Sequence, residues 1–253
     1  MWTLVSPDIV EPVYKPGSVL PDISANTALG LHLDALYAYD QRERMTAVNQ
    51  WDGGAVPRVH LAWNETGFVY RFRDDLPTET CVELAALLNQ APLPSNSVEP
   101  SVVNDCKLVV ERLNPVVRVS SGPIYYRTDS VTEAEQETTI INKVNAHLLK
   151  HEMGDWSVDV GHRLLFIATV ANGQAVAVCA SSRVTAAAHE AGVETSLNFR
   201  RRGYASTAVR RWTNEVLKLG AVALYSTSWS NTASQAVAQK LEYSYAGAEL
   251  SLF

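Results

Sequence analysis

The chain has little cysteine, and what it has follows no pairing pattern. Cys81, Cys106 and Cys179 are odd in number and far apart, with no Cys-x-x-Cys, so neither a disulfide framework nor a cysteine zinc site is expected. Six histidines lie scattered along the chain, and no metal centre is expected. The sequence lacks any run approaching the roughly 18 apolar residues that span a bilayer. Its start, Met1–Asp8, lacks a basic stretch leading into an apolar one. The expectation is therefore a cytoplasmic protein without a membrane partner. Excess positive charge is missing as well: 21 Lys and Arg against 27 Asp and Glu give −6. That balance excludes nucleic acid as a main partner, which would call for a basic stripe. It suits a cationic amine, or simply solubility. Finally, proline is absent from the second half, since all eleven lie between Pro7 and Pro123.

That shift in proline content is the clearest boundary signal, and it divides the chain into residues 1–127 and 128–253. In the first part, Val59–Trp63 and Gly67–Phe72 alternate about a turn at Asn64–Gly67 and predict a β-hairpin. Thr78–Gln90, opened by a Thr78 cap, predicts a helix. Leu108–Val110 and Val116–Val119 predict strands, and the Pro-, Ser- and Asn-rich stretch 92–100 a loop. In the second part, Glu133–His151 carries Ile140, Ile141, Val144, Leu148 and Leu149 at helical spacing. Strands follow at Leu164–Val170, Ala175–Ser182 and Ala188–Thr195, the first pair joined through Asn172-Gly173. A helix over Gly203–Leu219 with Val209, Trp212, Val216 and Leu219 on one face stops at Gly220. A strand at Ala221–Tyr225 and a helix from Asn231 to Leu241 complete the order, with Asn231 as N-cap. The order predicts an α/β fold with a mixed, mostly antiparallel sheet flanked by helices, and a smaller N-terminal α/β domain.

Arg200-Arg201-Arg202-Gly203-Tyr204-Ala205 stands between a strand and an amphipathic helix. A glycine-bearing turn at a helix N-terminus offers free backbone N–H groups and the positive end of the helix dipole, an arrangement suited to a pyrophosphate. The arginines add charge for phosphate oxygens. A solvated basic turn would look the same on these residues alone. The pattern Arg-x-x-Gly-x-Ala after a strand nevertheless resembles the acetyl-CoA pyrophosphate loop of the GNAT superfamily, matched here by Arg200, Gly203 and Ala205. Val193-Glu194-Thr195 and Phe199 before it, and Asn231, Ser234, Lys240, Leu241 and Tyr243 after it, resemble the family's flanking signatures. The resemblance covers about residues 130–253. The hairpin–helix–strand order of residues 1–127 could be a degenerate copy of the same unit.

The resemblance implies an acetyl-CoA-dependent N-acetyltransferase using no metal. Val193 and Thr195 would hold the pantetheine arm by main-chain bonds, and Arg200, Arg201, Arg202, Gly203, Tyr204 and Ala205 the pyrophosphate, with Asn231 and Ser234 in support. A base must take the proton of the attacking ammonium, and the oxyanion needs a backbone N–H. Glu190 and Glu194 are the base candidates, on one face of their strand with Gly192, and either could instead pair with an arginine. Asp155, with Asp159 flanking Trp156, and Trp229 are candidates for gripping the acceptor. Many family members carry a tyrosine, acid for the leaving thiolate, where this chain has Ala238; Ser226, Tyr225 or Ser228 could replace it. The expected acceptor is a small cationic molecule such as an aminoglycoside or amino sugar, an activity of the antibiotic-resistance kind. Protein or peptide N-acetylation and a non-catalytic acyl-CoA sensor are the alternatives, and the oligomeric state stays open.

Overall fold

The computed structural model describes residues 20–94, 99–132 and 137–253. They form two compact units: Thr128–Ala223 with residues 20–22, and Ile23–Arg127 with Leu224–Phe253. Arg127 and Thr128 thus fall in different units, while the segment from Leu224 onward groups with the N-terminal half. The fold is α/β with mostly antiparallel strands and flanking helices, as expected. Among the described residues no helix is long and apolar enough to cross a membrane.

In the Thr128–Ala223 unit four strands pair antiparallel in chain order. They are β6 (Thr138–Ile140), β7 (Leu164–Ala171), β8 (Gln174–Val184) and β9 (Ala188–Thr195). Asn172 and Gly173 turn β7 into β8 with φ of +52° and +74°, the paired positive values of a tight hairpin turn. Helix α4 (Tyr204–Lys218) packs on β7, β8 and β9 through a stripe that includes Ala208, Val209, Trp212 and Val216. Leu219, expected on that stripe, is the exposed C-cap, because Gly220 already leaves the helix at φ +78°. The helix expected over Glu133–His151 is not there in the described part of that range. Thr138–Ile140 is a strand on β7, and Ala146–Leu149 is a short 3-10 turn. A β-branched run, Thr138-Thr139-Ile140-Ile141, outweighs the helical spacing of its apolar residues. Residues 133–136 of that expectation lie outside the described residues.

In the second unit the sheet runs β4 (Gly67–Phe72), β3 (Val59–Asn64), β11 (Ser244–Leu252), β5 (Val119–Arg127), all antiparallel. The β3–β4 hairpin pairs Asn64 with Gly67, as the alternation predicted. All of β3 is buried, because both faces are covered. Val59, Leu61 and Trp63 pack with Leu250 and Leu252 of β11 against α2 (Thr78–Gln90) and α3 (Val102–Glu111). His60 and Ala62 therefore face the other way, toward α1 (Ala25–Leu36), which packs on β3 and β11. A short antiparallel pair, β1 (Tyr37–Tyr39) and β2 (Met45–Val48), follows α1. The unit also holds α5 (Thr232–Lys240), and β10 (Val222–Ser226) carries the chain from one unit into the other.

Three expectations fail here. Leu108–Val110 is helix rather than strand, because Val102, Val103, Cys106, Val109 and Val110 share one buried helical face. The predicted strand at Val116–Val119 begins only at Val119 and runs on to Arg127. Helix α2 has the predicted bounds, but Pro77, not Thr78, is its N-cap, without a side-chain bond. Helix α1 and strands β1, β2 and β11 have no counterpart in the sequence reading.

Candidate functional site

Between β9 and α4 the chain makes a 3-10 turn, Leu197–Phe199, and then opens at Arg200 into extended backbone. Arg201 and Gly203 follow with φ of +60° and +85°, and Gly203 is the N-cap of α4. A left-handed cap is cheap for glycine and strained for any β-branched residue. No side chain caps α4, so the first N–H groups of this helix are left to a ligand or water. Arg200, Arg201 and Arg202 are all exposed. The Arg200 Nε donates back to the Thr195 carbonyl at 3.2 Å, and the Arg202 guanidinium lies 5.5 Å over the Phe199 ring. Phe199 in turn sits 6.0 Å from Tyr204, whose carbonyl accepts from Thr169 of β7 at 3.0 Å. Two arginines thus brace the turn while positive charge accumulates before the positive end of α4.

Strand β9 separates two environments. On the α4 side, the Trp212 indole N–H donates to Ser181 Oγ at 3.0 Å, which leaves the Ser181 proton for His189 Nδ1 at 2.9 Å. His189 is buried as the neutral ring, and burial holds its pKa down at about 4. On the opposite face stand Glu190, Gly192 and Glu194, as the strand period predicted. They differ in access: Glu190 is only 1% exposed, whereas Glu194 is exposed. Trp156, from the 3-10 turn Gly154–Asp159, lies over this face and donates its indole N–H to Glu194 Oε2 at 2.6 Å. A Cβ at Gly192 would crowd Ser182 Cβ at 3.2 Å and meet Trp156 Cη2 in ordinary contact at 3.5 Å. Phe166 edges the same indole at 5.6 Å, and the Arg163 guanidinium lies 5.4 Å above it. Arg163 also holds Asp159 at 2.9 Å, so Asp159 is buried and engaged while Asp155 is exposed beside Trp156. Ser196 Oγ donates to Glu152 at the strand's end. Val193 and Thr195 lie opposite Cys179 and Ala177 of β8.

The remaining predicted residues stand in the other unit. Asn231 caps α5 by accepting from the Ser234 N–H at 3.1 Å. The Ser234 hydroxyl lies 2.8 Å from Tyr225 OH, so the two cosubstrate candidates on α5 are tied to the end of β10. Gln235 donates to the carbonyls of Ser228 and Trp229 at 3.1 and 2.9 Å and holds the turn between β10 and α5. Ser226, the last residue of β10, is half-buried, and Trp229 in the turn is exposed. Ala238 is buried in α5. The described residues thus assemble the loop, the β9 carboxylates and Asp155 in one unit, and Ser226, Trp229, Asn231 and Ser234 in the other. Trp156 and Glu152 were missed as partners of the site, although the tryptophan beside Asp155 was a visible signal.

Residues 165–248 match the family model described as GNAT acetyltransferase, which places a GNAT acetyltransferase domain in the C-terminal region. No curated protein matches the chain. Among solved structures, a GNAT-family protein from Novosphingobium aromaticivorans is 17% identical with a TM-score of 0.44. The match covers 54% of this chain and 65% of that one, just under two thirds of its length. A GCN5-related N-acetyltransferase-like protein from Streptococcus suis is 15% identical over 90% of this chain and 99% of its own, with a TM-score of 0.47. A GNAT-family acetyltransferase from Colwellia psychrerythraea is 12% identical over 93% and 98%, with a TM-score of 0.48.

Proposed function

We propose that the chain is an acetyl-CoA-dependent N-acetyltransferase whose acceptor is a small cationic amine, an aminoglycoside or other amino sugar before others. The observation that carries this reading is the uncapped N-terminus of α4, preceded by Gly203 at φ +85° and three exposed arginines. Its donors suit a pyrophosphate: backbone N–H groups of the Gly203–Ala205 turn, the helix dipole, and the Arg200–Arg202 guanidinium groups. Val193 and Thr195 offer main-chain groups to the pantetheine amides, and Asn231 and Ser234 add polar contacts. The cosubstrate supplies the acetyl group as a thioester.

The chain's own residues have two proton tasks. The acceptor amine arrives as an ammonium ion and must lose a proton before it can attack. Glu194 is the better placed base, because Trp156 fixes Oε2 and leaves Oε1 for the proton, whereas Glu190 is buried within the strand. Asp155, exposed next to Trp156, provides a carboxylate for a further positive group of the acceptor. Trp229 provides an aromatic face that a cation or sugar ring can cover. Ser226 is the donor for the leaving thiolate, since Tyr225 is buried with its hydroxyl on Ser234.

A second reading, an acyl-CoA sensor without turnover, is favoured by the buried Ala238 at the position where many family members carry the acid. Incubation with acetyl-CoA and a panel of aminoglycosides, polyamines and peptides, followed by thiol release, tests the proposal. Release with amino sugars is the expected result, abolished in Glu194→Gln. Release only with peptides replaces the acceptor class. Micromolar acetyl-CoA binding without release from any acceptor overturns the enzyme and leaves the sensor.

A further inference from the structure

In the β3–β11 pair His60 lies directly opposite Ser251, and Glu249 stands two residues away on the same face of the sheet. The helical stripe of α1 that covers this face contains Ala28, Leu29, Leu33 and Leu36, and at its middle His32. Three residues separated by up to 217 positions therefore meet: the Nε2 atoms of His32 and His60 lie 2.9 and 3.3 Å from Glu249, both on the one oxygen Oε2. All three donor atoms lie within 4.8 Å of one another. The imidazole rings are not stacked; their centroids are 6.3 Å apart and their planes tilted by 51°.

We propose that His32, His60 and Glu249 form a binding site for a divalent transition metal ion, with Zn2+ the ion best suited to its donors. Three features carry the inference. First, both imidazoles converge on a single carboxylate oxygen instead of taking one oxygen each. Bonds of 2.0–2.1 Å to a tetrahedral zinc ion put its ligand atoms about 3.3 Å apart; the His60 contact has that spacing, and the His32 contact at 2.9 Å is shorter. Second, His60 has the outer contacts of a metal-bound imidazole: its Nδ1 lies 3.0 Å from Tyr37 OH and 2.9 Å from Ser251 Oγ. Either hydroxyl can accept the Nδ1 proton, which leaves the Nε2 lone pair for the ion and fixes the ring. Third, two imidazoles and one carboxylate suit zinc and its first-row neighbours, whereas calcium and magnesium prefer oxygen donors throughout. Both histidines are buried, and the Glu249 side chain is 18% exposed. Such a site would fasten α1 to the last strand of the chain. A metal-free triad, with both rings donating to Glu249, is the rival arrangement.

The test uses the full chain without a histidine tag, first stripped with a chelator and then titrated with Co2+ and Zn2+. One equivalent of Co2+ should bind with the intense visible absorption of a tetrahedral site, Zn2+ should displace it, and Zn2+ should raise the thermal midpoint. His32→Gln should lose at least a hundredfold in Zn2+ affinity, and Ser251→Ala about tenfold through the orientation of His60. Should His32→Gln fail to fold, the absorption and stoichiometry of the unaltered chain decide. Absence of the tetrahedral band overturns the site. Zn2+ binding of undiminished affinity in a folded His32→Gln also overturns it, pointing instead to exposed histidines such as His147 and His151.

Discussion

In the Thr128–Ala223 unit the polar groups that could meet a ligand stand at the surface and close together in sequence: Arg200 to Ala205 on one turn, Glu194 six residues before it, Trp156 the one distant partner. In the other unit a polar cluster, His32 with His60 and Glu249, is largely buried and drawn from a helix and two strands. As a proposed anion site, the surface turn would bind through backbone N–H groups and a helix dipole, and its loss should weaken binding more than folding. Buried charge behaves oppositely. A carboxylate between two imidazoles is held ionised by them, and removing one member leaves the others in a low-dielectric interior. The burial of Glu249 would raise its pKa, but the His32 and His60 rings outweigh that and hold its carboxyl well below the usual range.

Glu249→Ala breaks the comparison most severely if it fails. It should cost about 3–5 kcal/mol of folding stability, read from urea unfolding, while acetyl-CoA affinity of the remaining folded protein stays within about twofold. A loss of affinity larger than the loss of stability would mean that the buried cluster serves the cosubstrate site.

The second test asks whether the other unit has a comparable buried dependence. His189 is neutral when folded, with a pKa of about 4 against an ordinary value of 6.5. Between those values the unfolded chain carries the extra proton. Stability is therefore full above about pH 6.5 and falls as pH drops toward 4, by roughly 3 kcal/mol in total. Unfolding free energies at successive pH values should show this slope, and His189→Gln should flatten it. An unchanged slope in the variant would assign the acid sensitivity elsewhere.

The same contrast explains what could be read from the residues. The β3–β4 hairpin, α2, the β7–β8–β9 meander and α4 with its turn were legible because each is specified locally, by period, by Asn172-Gly173 or by Gly203. Helix α1 was missed although Ser24, which accepts from Thr27 N–H, and the apolar stripe from Ala28 to Leu36 announce it. Strand β11 was missed because Ser244–Leu252 includes glycine, alanine and a glutamate, and only its place between β3 and β5 explains the burial. The histidine cluster had no signal at all, since spacing rules look for neighbours in sequence and these three are neighbours only after β11 pairs with β3. On β9, alternation put Glu190 and Glu194 on one face, but not that one is covered and the other reachable.

Gly203→Val should act in the reverse sense to Glu249→Ala. A β-branched residue at φ +85° carries strain of about 1–3 kcal/mol, which would distort the turn whose N–H groups are proposed to meet the anion. The KM for acetyl-CoA should rise roughly 10- to 100-fold, with kcat less affected and the thermal midpoint lowered by only a few degrees. Equal damage to stability and to KM would remove the distinction between a surface turn tuned for a ligand and a buried cluster tuned for the fold.

The smallest expected effect is the most specific. Trp156→Phe keeps an aromatic ring over Gly192 but deletes the 2.6 Å hydrogen bond to Glu194. A hydrogen bond to a charged carboxylate fixes the oxygen that it reaches. Without it the Glu194 carboxylate loses that orientation, and kcat should fall with little change in the acceptor KM. The loss at neutral pH should be about fivefold, corresponding to about 1 kcal/mol for one such bond. Acetyl-CoA affinity should not move, because Trp156 touches the carboxylate face of β9 and not the Arg200–Ala205 turn. Undiminished kcat in Trp156→Phe would make Trp156 a packing residue and return the choice of base to Glu190.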